Sequence, residues 1–194
     1  EITLAADDLV IASAFNSEGT VRSSRHTSSC PPSESCLSQL LINNSIQVGR
    51  EGVGQLLLED VAIDYAFDVR PTSSLQVAIF PGSLGRVVFS DVLAGFGSDL
   101  EVGIFGEGSL RLSGGSLVGA KRLLAAENFV ARANISLENS SLIGTQEASI
   151  LGQRGIASMT MSDESIFSVG DVGDSGKDLT LGDEVDSLGS LVMT

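Results

Sequence analysis

The architecture is written most plainly in the stretch Leu100–Ala120, LEVGIFGEGSLRLSGGSLVGA. Apolar and polar residues alternate in LEV and again in SLRLS, and a third short strand follows in SLV, with glycines between the runs. Alternation with a period of two is the signature of a strand that buries one face. Gly103, Gly106 and Gly108 stand where the chain must change direction. Glycine permits positive φ and close backbone approach at such a corner.

Nearly the same pattern is written earlier, in IQVGREGVGQLLLED (Ile46–Asp60). Aligning such segments on the Gly or Ala that ends the first apolar run picks out Gly49, Ala78, Gly103, Ala126, Gly152 and Gly182. The successive spacings are 29, 25, 23, 26 and 30, so a period near 26 is sustained. A degenerate earlier copy lies in Leu9–Ser23. A period of this size marks a solenoid, a propeller or an array. Three short strands per period, with glycine at the corners, predict an all-β chain wound as a right-handed parallel β-helix of about seven coils. The handedness is an expectation from strand twist.

Coils stacked about 4.8 Å apart would form a rod on the order of 30 Å long. Equivalent inward residues would then stack in columns. Val48, Val77, Val102 and Leu151 form one predicted column, and Leu56, Val87, Leu110, Ile135 and Met159 a second. The third holds Leu58, Phe89, Leu112, Leu137 and Met161. The competing reading is a stack of antiparallel hairpins, which the absence of Asn-Gly and Asp-Gly turns disfavours. GAKRLLAAENFVARA (Gly119–Ala133) is the best helix candidate, but it falls in register with the strands and is assigned to them. Residues 1–194 are read as one β-helix domain or a segment of a longer one. Residues 1–45 form its N-terminal cap and first coil, with a Cys loop at 24–40, and residues 46–194 its regular coils.

The 194-residue chain carries 11 basic and 25 acidic side chains, a net charge of −14. That balance argues against a nucleic-acid partner and against anionic membranes. Aromatic residues make up only 5% and Trp is absent, which disfavours a base-stacking surface. No apolar run is long enough for a membrane-spanning helix, so no direct membrane insertion is expected.

The only two cysteines, Cys30 and Cys36, flank a short polar loop in CPPSESC. A local disulfide between them is the preferred reading and implies an oxidising compartment. Two free thiols, or a metal site that adds His26, are the alternatives; the spacing matches no zinc pattern. His26 is the only histidine and sits in a polar loop with no nucleophile elbow, so no catalytic triad is assigned. Acidic residues thicken toward the C-terminus. There Asp171, Asp174, Asp178 and Asp183 are the candidate Ca²⁺ ligands, because hard cations take carboxylate oxygens. The plain reading of the same residues is a solvated acidic surface. No other cofactor and no catalytic residue is assigned.

The pattern L-x-V-G-x-x-G-x-G-x-L-x-L-x-x-G in LEVGIFGEGSLRLSGG resembles the repeats of autotransporter-like passenger domains and glycine-rich repeats of bacterial surface proteins. IQVGREGVGQLLLED matches it, and ILGQRGIASMTMSDESIFSVG matches with Ala157 in place of the second glycine. The resemblance covers roughly residues 46–194 and implies a secreted β-helix at the cell surface or in the extracellular matrix. It implies a non-enzymatic stalk or adhesin, with surface glycans, matrix or further copies of the chain as partners. Two alternatives stand beside it. One is a filament subunit that stacks end to end, and the other a polysaccharide-active enzyme.

Overall fold

The computed structural model describes residues 3–23, 38–63, 73–170 and 177–194. Among the described residues every regular element is a strand. In chain order they are β1 (Thr3–Ile11), β2 (Glu18–Arg22), β3 (Ser38–Val48), β4 (Val53–Glu59), β5 (Val61–Ile63) and β6 (Ser74–Val77). Next come β7 (Leu84–Ser90), β8 (Leu93–Gly95), β9 (Leu100–Val102), β10 (Glu107–Ser113), β11 (Leu117–Ala120), β12 (Leu123–Ala125) and β13 (Arg132–Leu137). The last are β14 (Leu142–Thr145), β15 (Ser149–Leu151), β16 (Ile156–Met161), β17 (Ile166–Val169), β18 (Leu179–Leu181) and β19 (Leu188–Met193). The stretch Gly119–Ala133 is extended, running through the end of β11, β12 and the start of β13.

All pairings are parallel, and beyond β3 each strand pairs with the one three elements further on. A seven-stranded sheet runs β19-β16-β13-β10-β7-β4-β2. A twelve-stranded sheet holds the rest. The larger sheet is two rows joined at one place. The first residues of β3 pair with β5, its last residues pair with β6, and β1 lies along both parts of β3. In later units a corner breaks the chain where β3 runs straight through. Each repeat thus lends one strand to each of three rows.

The predicted columns are present in register. Val48 pairs with Val77, Val77 with Val102, and the column continues through Ala125 to Leu151, all wholly buried. Leu56, Val87, Leu110, Ile135 and Met159 align across β4, β7, β10, β13 and β16, as do Leu58, Phe89, Leu112, Leu137 and Met161. Every member of both columns is buried. Full burial of such a side chain is worth roughly 1.5–3 kcal/mol, and here each apolar residue is covered by its counterparts above and below. The buried serines Ser83, Ser116 and Ser141 turn their hydroxyls back on the carbonyls of Phe80, Ser113 and Glu138 at 2.6–2.7 Å, which satisfies them at the corners.

The corner after each second-row strand has a left-handed residue in all seven units: Ala12, Gly49, Ala78, Gly103, Ala126, Gly152 and Gly182. The length of this corner alternates strictly from Gly49 to Gly152. From Ala12, Ala78, Ala126 and Gly182 the chain takes seven residues to reach the small inward residue of the next strand (Gly19, Gly85, Ala133, Gly189). From Gly49, Gly103 and Gly152 it takes five (Gly54, Gly108, Ala157). Long corners close with a turn, Ser17 N donating to Ala14 O, Ser83 to Phe80, Ala131 to Asn128 and Ser187 to Glu184, at 2.9–3.1 Å. The true repeat is therefore two units. The long corners project Phe15, Phe80, Phe129 and Val185 into solvent.

Candidate functional site

The corner geometry explains the most unusual polar group of the molecule. Glu127 directly follows the left-handed Ala126 of a long corner. The equivalent position two units earlier holds Ile79, and the intervening short corner holds Ile104. A carboxyl thus occupies a place that the two preceding units fill with isoleucine. Its Oε1 is buried and without a hydrogen-bond partner among the described residues. Burial, reinforced by the charges of Glu101 and Asp99 and only partly offset by Arg122, raises its pKa to about 7.

Around Glu127 lies a polar cluster built on the outward side of the second row. The register places Gln47, Gln76 and Glu101 on successive strands β3, β6 and β9. Gln47 Nε2 donates to Gln76 Oε1 at 3.2 Å, and Gln76 Nε2 to Glu101 Oε2 at 2.6 Å. Burial raises the Glu101 pKa, while the Gln76 hydrogen bond opposes the rise. Arg122 grips Asp99 through two bonds, Nε to Oδ1 at 3.0 Å and a terminal guanidinium nitrogen to Oδ2 at 2.6 Å. Glu147 approaches Arg122 at 4.0 Å and Lys121 at 3.5 Å. The result is two carboxyls whose surroundings favour the protonated form, beside a carboxylate paired with arginine. Glu127, with its pKa at about 7, can give or take a proton near neutral pH.

The residues singled out from sequence are placed differently. Cys30, Cys36, His26, Asp171 and Asp174 lie outside the described residues. Asp178 and Asp183 are exposed and flank the three-residue strand β18, one before it and one beyond the Gly182 corner. Their backbones are spent on pairing: Asp178 O accepts from Ser149 N, and Asp183 N donates to Gly152 O. No group of three or more His, Cys, Asp or Glu side chains is arranged to hold a metal among the described residues. Sequence reasoning passed over Glu101 and Glu127. The available signal was that each stands beside a corner residue, Glu101 two before Gly103 and Glu127 one after Ala126.

No protein family, no curated protein and no solved structure matches this chain.

Proposed function

We propose that the chain is a right-handed parallel β-helix of seven coils serving as a non-enzymatic extracellular scaffold, a stalk or adhesin-like rod. The observation that carries this reading is the recurrence of the left-handed corner in seven units, with strands of successive units paired in parallel and in register. The right-handed sense follows the strong rule for parallel crossovers within one sheet. A stack of this kind suits a spacer, since each coil contacts only its neighbours and length is set by coil number. The extracellular setting rests on the resemblance of the repeats to passenger domains.

Electron microscopy and small-angle scattering over a concentration series, with and without Ca²⁺, test the reading. Discrete rods about 30 Å along the stacking axis are expected. Fibres with a regular axial repeat would replace the scaffold by the filament subunit. A second reading has its own observation: Glu101 and Glu127 form a carboxyl pair suited to acid–base work on a polysaccharide. Release of reducing ends from a glycan panel, abolished in Glu127→Gln, would establish it; absence of turnover across the panel leaves the scaffold.

A further inference from the structure

We propose that the outward side of the seven-stranded sheet binds an acidic polysaccharide rich in uronate. Arg86, Arg111 and Arg132 take its carboxylates, and Ser109, Asn134 and Ser158 take its hydroxyls. Two adjoining depressions of about 260 and 290 Å³ lie on this face. They adjoin along the row Arg86, Ser109 and Asn134, which lines both, and make a shallow two-furrowed channel across β4, β7, β10, β13 and β16. Arg132 stands at its edge, paired in register with the channel residue Glu107.

Charge selects the ligand. The chain as a whole carries more than twice as many acidic as basic side chains. The middle of this face departs from that balance: three guanidiniums stand on the consecutive strands β7, β10 and β13 against two carboxylates, Glu107 in the channel and Glu138 beside Arg111. Arg86 and Arg132 are exposed and make no ion pair among the described residues, while Arg111 holds Glu138 at 2.6 Å from a half-exposed position. Sequence charge alone hides this island, because its residues are about one repeat apart in the chain.

Spacing narrows the class. Arg132, Arg86 and Arg111 stand at successive outward positions on three different strands, two residues or about 6.6 Å apart along the strand direction, which suits an extended polymer with carboxylates at regular intervals laid along the strands. Duplex DNA carries a charge every 1.7 Å or so of its axis, which three arginines do not match on a chain of net charge −14. The channel is also lined by no aromatic side chain on which a base could stack. Arginine forks bind carboxylates in two-point fashion. Between them Ser158 donates to Asn134 Oδ1 at 2.8 Å, which turns the amide nitrogen of Asn134 toward other acceptors. The hydroxyls of Ser136 and Thr160 extend the polar floor.

The inference rests on the scaffold reading for its extracellular setting, yet the two fail separately: scattering reads the rod, and binding reads the face. The test is titration calorimetry of the full chain with a galacturonate oligomer at low and physiological salt. Saturable binding is expected, weakened about tenfold for each guanidinium removed in Arg86→Gln and Arg132→Gln. Arg154→Gln, on a corner away from the face, should bind as the parent does. Ser109→Trp, which fills the channel without removing charge, should also weaken binding. Circular dichroism confirms that each variant is folded. Absence of binding overturns the proposal, as does equal binding by the arginine variants. Equal affinity for dextran sulfate or a DNA oligonucleotide would reduce the face to nonspecific charge and overturn it too.

Discussion

At the scale of single residues, the corner position holds alanine at Ala12, Ala78 and Ala126 but glycine at Gly49, Gly103 and Gly152, and the structure gives the reason. At the short corners a Cβ would overlap a backbone carbonyl of the next unit, that of Leu84, Arg132 or Leu188. At the long corner of Gly182 the nearest atom would be Ser187 O at 3.4 Å, an ordinary contact. Gly103→Ala should therefore add overpacking of about 1–3 kcal/mol to a left-handed cost of about 1–2 kcal/mol. Gly182→Ala should carry only the second cost. Thermal or denaturant unfolding of the two variants measures the difference, and equal losses would refute the steric account of Gly103. Glu127 yields a prediction about pH. Its folded pKa of about 7 lies above the ordinary 4.5, so between these values the folded chain keeps a proton that the unfolded chain has released. The stability this proton contributes is full below about 4.5 and is lost as pH rises through about 7. A series of melting temperatures from acid to alkaline pH should show that decline, and Glu127→Gln should flatten it. A slope of the same size in the variant would assign the effect to other groups.

At the scale of the strand, the direction of each side chain governs its role. Leu110 and Ser109 are adjacent in β10, yet Leu110 is buried in a column between Val87 and Ile135 while Ser109 faces outward. Leu110→Asp buries an unpaired charge, at a cost of roughly 3–5 kcal/mol, and should unfold much of the stack. Ser109→Asp should change stability by less than about 0.5 kcal/mol. Denaturant titration of both compares them, and equal effects would show that the alternation has been assigned to the wrong faces. The corners between strands are harder to read. Asp60, Asp91, Asn139 and Asp163 adopt left-handed φ after β4, β7, β13 and β16, strands of the seven-stranded sheet. Asp and Asn tolerate that conformation, but nothing in the local sequence separates them from other acidic residues of an acidic chain.

At the scale of the molecule, the proposed β-helix would be a one-dimensional stack. Each unit is stabilised by the units above and below, so protection should be highest in the middle and fall toward both ends. The burial pattern agrees: β7, β10 and β13 alternate between buried and open residues, whereas β2 and β19 have no fully buried member. Amide hydrogen exchange should find the slowest amides in β7, β10 and β13 and the fastest in β2 and β19. Uniform protection along the chain would contradict a stack of separable units. The ion pairs Arg111–Glu138, Arg122–Asp99 and Arg154–Glu184 each join one unit to the next; the more exposed Arg111–Glu138 and Arg154–Glu184 are each worth no more than about 1 kcal/mol, while Arg122–Asp99 is two-point and partly buried. The columns, rather than the charges, hold the units together.

The strands, the period and the three inward columns were all legible in the linear chain. They depend on alternation within a few residues and on repetition along the chain, and both are visible in one dimension. Three features emerged only on folding: which corners require glycine, why Glu127 is desolvated beside Glu101, and that Arg86, Arg111 and Arg132 share a face. Each of these arises from residues roughly a repeat apart in sequence that pairing brings onto neighbouring strands and corners. A pattern read along the chain cannot register a carbonyl, a carboxyl or a guanidinium that arrives from the next unit.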